Sequence, residues 1–222
     1  MSITENLKKI KSSIPKNVTL IAVSKTKPNS AILEAYNAGH RAFGENKIQE
    51  MALKYEALPK DIEWHMIGHL QSNKVKYMAH FVHLIHGVDS FKKLAEINKQ
   101  ALKHQRIINC LLQLKIAKEN SKFGLSISDA EQILTSDKLT DLKNIKIKGL
   151  MGMASFTSDE ECIKNEFETL KSYFSKLTQY TSTVFNPTIL SMGMSGDYQI
   201  AIEQGSTMVR VGSAIFGERN YT

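Results

Sequence analysis

An α/β barrel of eight parallel strands, each followed by a helical segment, is the fold this sequence predicts. Three observations point to it. Short β-rich runs alternate with amphipathic stretches eight times within 222 residues, which is the rhythm of a parallel sheet. Eight is also the strand number that closes a TIM (β/α)8 barrel. The turn after the first strand, SKTKPNS, carries no glycine, whereas a doubly wound open sheet needs fewer repeats and often has a glycine-rich first turn.

TENLKKIKSSI, at the start, reads as an extra helix before the first strand. VTLIAVS (18–24) follows, apolar without alternation, as a strand buried on both faces must be. SAILEAYNAGH (30–40) returns as a helix packed through Ala31, Leu33, Ala35, Tyr36 and Ala38. RAFG begins the second strand, and a helix runs from about Asn46 to Ala57. IEWHMIG (62–68) is the third strand, trailed by SNKVKYMAHF. VHLIHGV (82–88) is the fourth, with a helix from Ser90 to His104. RIINCLLQLKI (106–116) is the fifth, with SISDAEQILTS after it. IKIKGLMGMAS (145–155) is the sixth, with a long helix from about Asp159 to Tyr180. TILSMG (188–193) and TMVRVG (207–212) are the seventh and eighth, separated by a short helix from Asp197 to Glu203. No linker or repeat divides the chain, so residues 1–222 are expected to form one domain.

Composition narrows the function classes. Hydrophobic residues make up 42% of the chain, an ordinary globular fraction. The first dozen residues contain no apolar signal-peptide core, and no apolar run approaches the roughly 20 residues of a membrane helix. Cys110 and Cys162 are far apart and in no CxxC pattern, which points to a reducing compartment. A soluble cytoplasmic protein is expected, a monomer or weak dimer. The net charge of +7 is spread over lysines that alternate with acids, as in SFKKLAEINKQALKHQ, and the arginines are only Arg41, Arg106, Arg210 and Arg219. A nucleic-acid surface would cluster its cations and interleave aromatics, so no nucleic-acid partner is expected.

In such a barrel the chemistry sits at the C-terminal strand ends. These collect Lys25, Glu45, Asn46, Met66 to His69, Asp89, Lys115, Met153 to Ser155, Ser191 to Ser195, and Arg210 to Ser213. Lys25 follows a buried strand, where desolvation and neighbouring cations favour a neutral, nucleophilic amine of the kind that forms Schiff bases; Lys27 lies beyond the strand and is expected in solvent. SMGMSGDYQIAIEQG and RVGSAIFG, after strands seven and eight, offer Ser191, Ser195, Gly212 and Ser213 as hydroxyl and backbone donors, the usual place for a barrel's phosphate site. Arg210, between Val209 and Val211, alternates into the barrel and needs a partner there. A lysine, a phosphate site and an arginine for a ring nitrogen describe a pocket for pyridoxal 5′-phosphate (PLP).

Rival constellations are weaker. His65 and His69 in HMIGH have no glutamate, and four residues of strand span about 13 Å, too far for one metal, so no metal is expected. His83 and His86 fall on opposite strand faces as packing or surface residues. The methionines of strands three, six and seven read as core, and Glu45 and Asp89 have nothing to pair them as glycosidase carboxylates.

The segments AVSKTKP, AGHRAFGENKIQE, WHMIGHLQSNK, SKFGLS, KGLMGMAS and LSMGMSGDYQIAIEQGSTMVRVGSAIFGER, in order from residue 22 to 219, resemble the YggS/PROSC family of pyridoxal phosphate homeostasis proteins. That family is similar to the fold type III barrel domain of alanine racemase. The resemblance implies that Lys25 is the Schiff-base lysine and that Asn46 lies beside the cofactor. It puts Ser191, Met194, Ser195, Gly212 and Ser213 on the phosphate loops, Arg210 at the pyridine nitrogen, and His65 in a third-strand motif at the site. Lys47, where the family carries an aromatic residue, and MGMAS, in place of a proline-rich segment, are departures at the pocket rim. The implied function is PLP binding in intracellular vitamin B6 homeostasis, without catalytic residues of its own, and with amino acids and PLP-requiring apo-enzymes as partners. The alternative is a PLP-dependent amino-acid racemase. Racemisation needs an acid/base group on each face of the ring, the second supplied in the racemase by a C-terminal β domain, and the sequence ends at Thr222 without one.

Overall fold

The computed structural model describes residues 2–117 and 123–218. Ser121 and Lys122 of SKFGLS and Arg219 lie outside the described residues. Eight parallel strands close on themselves in sequence order: β1 Thr19–Val23, β2 Ala42–Glu45, β3 Glu63–Met66, β4 Leu84–Val88, β5 Ile108–Gln113, β6 Ile145–Met151, β7 Phe185–Ser191 and β8 Met208–Val211. β8 pairs with β1 from Thr19↔Met208 to Ala22↔Val211, which seals the barrel. The predicted (β/α)8 barrel is therefore the fold.

Alternation sorts each strand's side chains between two cores. Ile21, Ala42, Leu84, Leu111, Met151 and Met208 fill the interior. Their strand neighbours, among them Ala22, Phe43, Trp64, Ile85 and Val209, pack outward against the helices. That double burial is why the strands read as continuous apolar runs.

The helices are α1 Ile3–Ser13, α2 Asn29–Asn37, α3 Ile48–Ala57, α4 Phe91–Lys103, α5 Ile127–Leu134, α6 Glu160–Leu177, α7 Tyr198–Glu203 and α8 Ser213–Phe216, with a 3₁₀ turn over Ser72–Tyr77 after β3. α1 opens on a capping box, Ser2 Oγ accepting from the Glu5 N–H while Glu5 Oε2 accepts from the Ser2 N–H. It buries Leu7 and Ile10 and donates from Asn6 Nδ2 to the Ile215 carbonyl of α8. β7 starts before Pro187, earlier than its sequence predicts. The β6–β7 register shifts between Ile147 and Gly149, and the interrupted ladder accommodates a residue with no N–H.

Candidate functional site

A cavity of about 700 Å³ opens where the strands end. Val23, Ile67, Met153 and Met194 give it apolar walls. Of the residues expected at a cofactor, Lys25, Asn46, Met194, Ser195, Arg210, Gly212 and Ser213 line it. His65 and Ser191 do not: both are buried in the barrel interior. Glu45, also expected at the mouth, turns outward to α3, and Asp89 is taken by Lys93 at 2.7 Å.

Lys25 stands two residues past β1 in a turn, half-buried rather than at the end of a buried strand. The ladder ends one residue earlier, with the Ser24 N–H donating to the Gly44 carbonyl at 3.0 Å. The backbone on either side of Lys25 is clamped. Lys54 Nζ, from α3, donates to the Ser24 carbonyl, to Glu45 Oε1 and to Glu50 Oε1 at 2.8, 2.8 and 2.7 Å. Ser24 Oγ donates to the same Glu45 oxygen at 2.5 Å, and the Thr26 N–H donates to Glu50 at 2.6 Å. Thr26 is held at φ +65°, a left-handed conformation that costs a β-branched residue about 1–3 kcal/mol unless its surroundings impose it. Burial pushes the Glu45 carboxyl up to about 7, against the opposing pull of Lys54. Glu50 is also opposed by burial, but hydrogen bonds from Lys54 and the Thr26 N–H hold it below the usual carboxylate range.

The two late loops meet at the opposite side of the cavity. Gly193 (φ +98°) turns the chain after β7. Its carbonyl accepts from the Arg210 N–H at 2.9 Å, and Asp197 Oδ1 accepts from the Met194 N–H at 2.5 Å. Asp197 thus stabilises the loop rather than capping α7 with its side chain. Ser195 Oγ accepts from the Gly212 N–H at 3.0 Å and ties the loops together. Gly212 then begins α8, whose first turn carries N–H groups with no intrahelical acceptor. Lys27 is not the solvated residue its position suggested. Its Nζ donates to the carbonyls of Phe216, Gly217 and Glu218 at 2.9–3.0 Å and caps the far end of α8.

Arg210, 4% exposed, closes the cavity from within. It donates to Ser191 Oγ at 2.6 Å and to the Gly152 carbonyl at 3.0 Å. Burial lowers its pKa to about 10, so it remains a cation at neutral pH. Ser191 is the first member of a buried chain. Its Oγ lies 3.1 Å from His86 Nδ1, and His86 Nε2 lies 3.0 Å from His65 Nδ1. Burial holds both imidazoles neutral, His65 down to about 3 and His86 well below its ordinary value. Ser191 and His65, expected at the cofactor, thus lie behind the cavity wall, Ser191 directly against Arg210 and His65 linked to it through His86. His83 and His86 do not diverge either. His83 precedes β4, outside its alternation, and both rings lie within 5.3 Å of His65's.

Sequence reasoning missed Lys54, Glu50, Lys27 and His86. Only the Glu50–Lys54 spacing of four on a helix carried a signal, and that signal is common on solvated faces.

The alanine racemase N-terminal domain family matches residues 1–220. The pyridoxal phosphate homeostasis protein of Vibrio alginolyticus is 40% identical over 238 residues, which cover 100% of this chain and 99% of that protein. The structure of PipY from Synechococcus elongatus PCC7942 is 36% identical and covers 97% of this chain and 100% of that one. Its TM-score is 0.91 without PLP and 0.88 with PLP bound. An alanine racemase of Clostridium difficile shares the fold at TM-score 0.77 and 12% identity; the match covers 99% of this chain and 57% of the racemase.

Proposed function

The chain belongs to the family of the pyridoxal phosphate homeostasis proteins, and on that premise we propose that Lys25, Arg210 and the two late loops are its means of holding PLP. The protein binds PLP and acts in PLP homeostasis. The observation that carries the residue assignments is the donor set of one cavity. An amine stands on one rim, a buried cation lies within, and hydroxyl and amide donors face it from the loops after β7 and β8.

The residues fit the group. The volume is within the range of small-ligand sites. A Cβ built on Gly196 would meet nothing within 4 Å, so that loop leaves open space. When bound, PLP supplies an aldehyde that condenses with primary amines and a pyridine ring that withdraws electrons. Lys25 offers the amine, and the clamp at Ser24 and Thr26 fixes its backbone. Arg210 has donors and no acceptor, so a ring nitrogen placed against it must accept. Ser195 and Ser213 would donate toward an anion, Gly212, whose N–H is engaged by Ser195 Oγ, would hold their loops together beside it, and Asn46 would border the ring. Amino acids and PLP-requiring apo-enzymes are the partners this reading implies, with a monomer or weak dimer acting in the cytoplasm. Among the described residues no helix is long and apolar enough to cross a membrane.

Ser195→Ala is expected to weaken PLP binding roughly tenfold, the loss of about 1–2 kcal/mol for one hydrogen bond to a charged group. Pyridoxal, which lacks the phosphate, should bind the wild type far more weakly and be indifferent to the substitution. Equilibrium titration of both ligands checks this. Equal affinity for PLP and pyridoxal would contradict the assignment of these loops.

A further inference from the structure

We propose that Glu63, His65 and His83 form a Zn²⁺ site at the N-terminal end of the barrel, the end opposite the PLP cavity. Each offers one ligand atom, and the three atoms lie within 4.8 Å of one another. Glu63 and His65 are two apart on β3, so their side chains share a face. His83 is brought alongside by its backbone N–H, which donates to the Trp64 carbonyl at 2.8 Å.

The independent sign of a ligand is His65 Nε2. It is buried and has no hydrogen-bond partner among the described residues, although a buried polar atom normally has one. The other ring nitrogen, Nδ1, is engaged 3.0 Å from His86 Nε2. That is the arrangement in which a ligating histidine is oriented by a hydrogen bond to its second nitrogen. With a cation on His65 Nε2, His65 Nδ1–H donates to His86 Nε2, and His86 Nδ1–H donates to Ser191 Oγ. Both ring nitrogens of His65 and of His86 are then satisfied.

Two imidazoles and a carboxylate, with a position left for water, are a donor set that suits Zn²⁺. Bonds of about 2.0–2.1 Å put tetrahedral ligand atoms about 3.3 Å apart, so the three groups must close slightly. Glu63 and His83 are exposed, which gives their side chains freedom to move and the cation a path from solvent. The site would join the start of β3 to the start of β4.

The test uses the full-length, PLP-loaded protein, stripped of metal with a chelator and titrated with Zn²⁺ by calorimetry, with Co²⁺ as a visible-absorption probe. One Zn²⁺ per chain is expected, with Co²⁺ bands of a low-coordinate nitrogen and oxygen site. Glu63→Gln and His83→Ala should each weaken binding by more than about tenfold. Both positions are exposed, and urea unfolding confirms that the variants fold. The absence of a saturable site, or an affinity unchanged in either variant, would overturn the proposal. PLP content is read in the same samples, so failure here is distinct from failure of the PLP assignment.

Discussion

Lys54→Met is expected to lower stability by about 3 kcal/mol near neutral pH and to weaken PLP binding with it. Lys54 is the shared partner of Glu45, Glu50 and the Ser24 carbonyl. Its removal leaves Glu45, fully buried, without a cation, and breaking one side of a buried pair costs more than deleting both. Glu45→Gln combined with Lys54→Met should therefore recover part of the loss. The penalty should also depend on pH. Glu45 has a raised folded pKa, about 7 against 4.5, so the folded state binds the extra proton between those values and its contribution weakens as pH rises through that window. Without Lys54 that fall should steepen and extend to higher pH. Urea unfolding of both variants between about pH 5 and 8 checks these signs, and PLP titration checks the effect on the Lys25 loop. A Lys54→Met protein within about 0.5 kcal/mol of wild type at neutral pH would remove the clamp from the account.

Gly193→Ala should be the most damaging single methyl in the loops after β7 and β8. At φ +98° an L side chain is strained, and its Cβ would fall 2.6 Å from Ala201 Cβ and 2.9 Å from Tyr198 Cα. The second obstacle is backbone, so α7 would have to shift, and the Gly193 carbonyl that accepts from Arg210 would shift with it. A stability loss of about 2–4 kcal/mol is expected, with a loss of PLP affinity larger than that of Ser195→Ala. Gly196→Ala is the matched control: nothing lies within 4 Å of its Cβ, and its stability should be unchanged. Equal unfolding midpoints for the two variants would contradict the role given to Gly193.

Much of the barrel was legible because its strands are buried on both faces, so VTLIAVS and VHLIHGV announced themselves by composition. Arg210 was legible because alternation along β8 turns it inward, and Lys25 because it lies just past β1 at the barrel mouth. The same logic failed one turn away. Nothing in SMGMS tells which serine reaches the cavity, since Gly193 breaks the alternation between Ser191, which turns inward, and Ser195, which borders the ligand space. Ser191's real partners, His86 and Arg210, come from other strands. Lys54 reaches Ser24 only because α3 packs with one particular rotation against β2 and β3, and Lys27 finds its acceptors 189–191 positions along the chain. Side-chain periodicity carries no information on such pairings. Alternation also misled at His83, which lies just outside the strand to which it was applied.

Lys25 is the amine proposed to hold PLP. The most direct measurement is borohydride reduction of the PLP-loaded protein, followed by digestion and mass analysis of the labelled peptide. The cofactor's mass is expected on Lys25, with loss of both the label and the yellow absorbance in a folded Lys25→Ala variant. Label on Lys27 or another lysine instead, or an undiminished yield of label in Lys25→Ala, would contradict it.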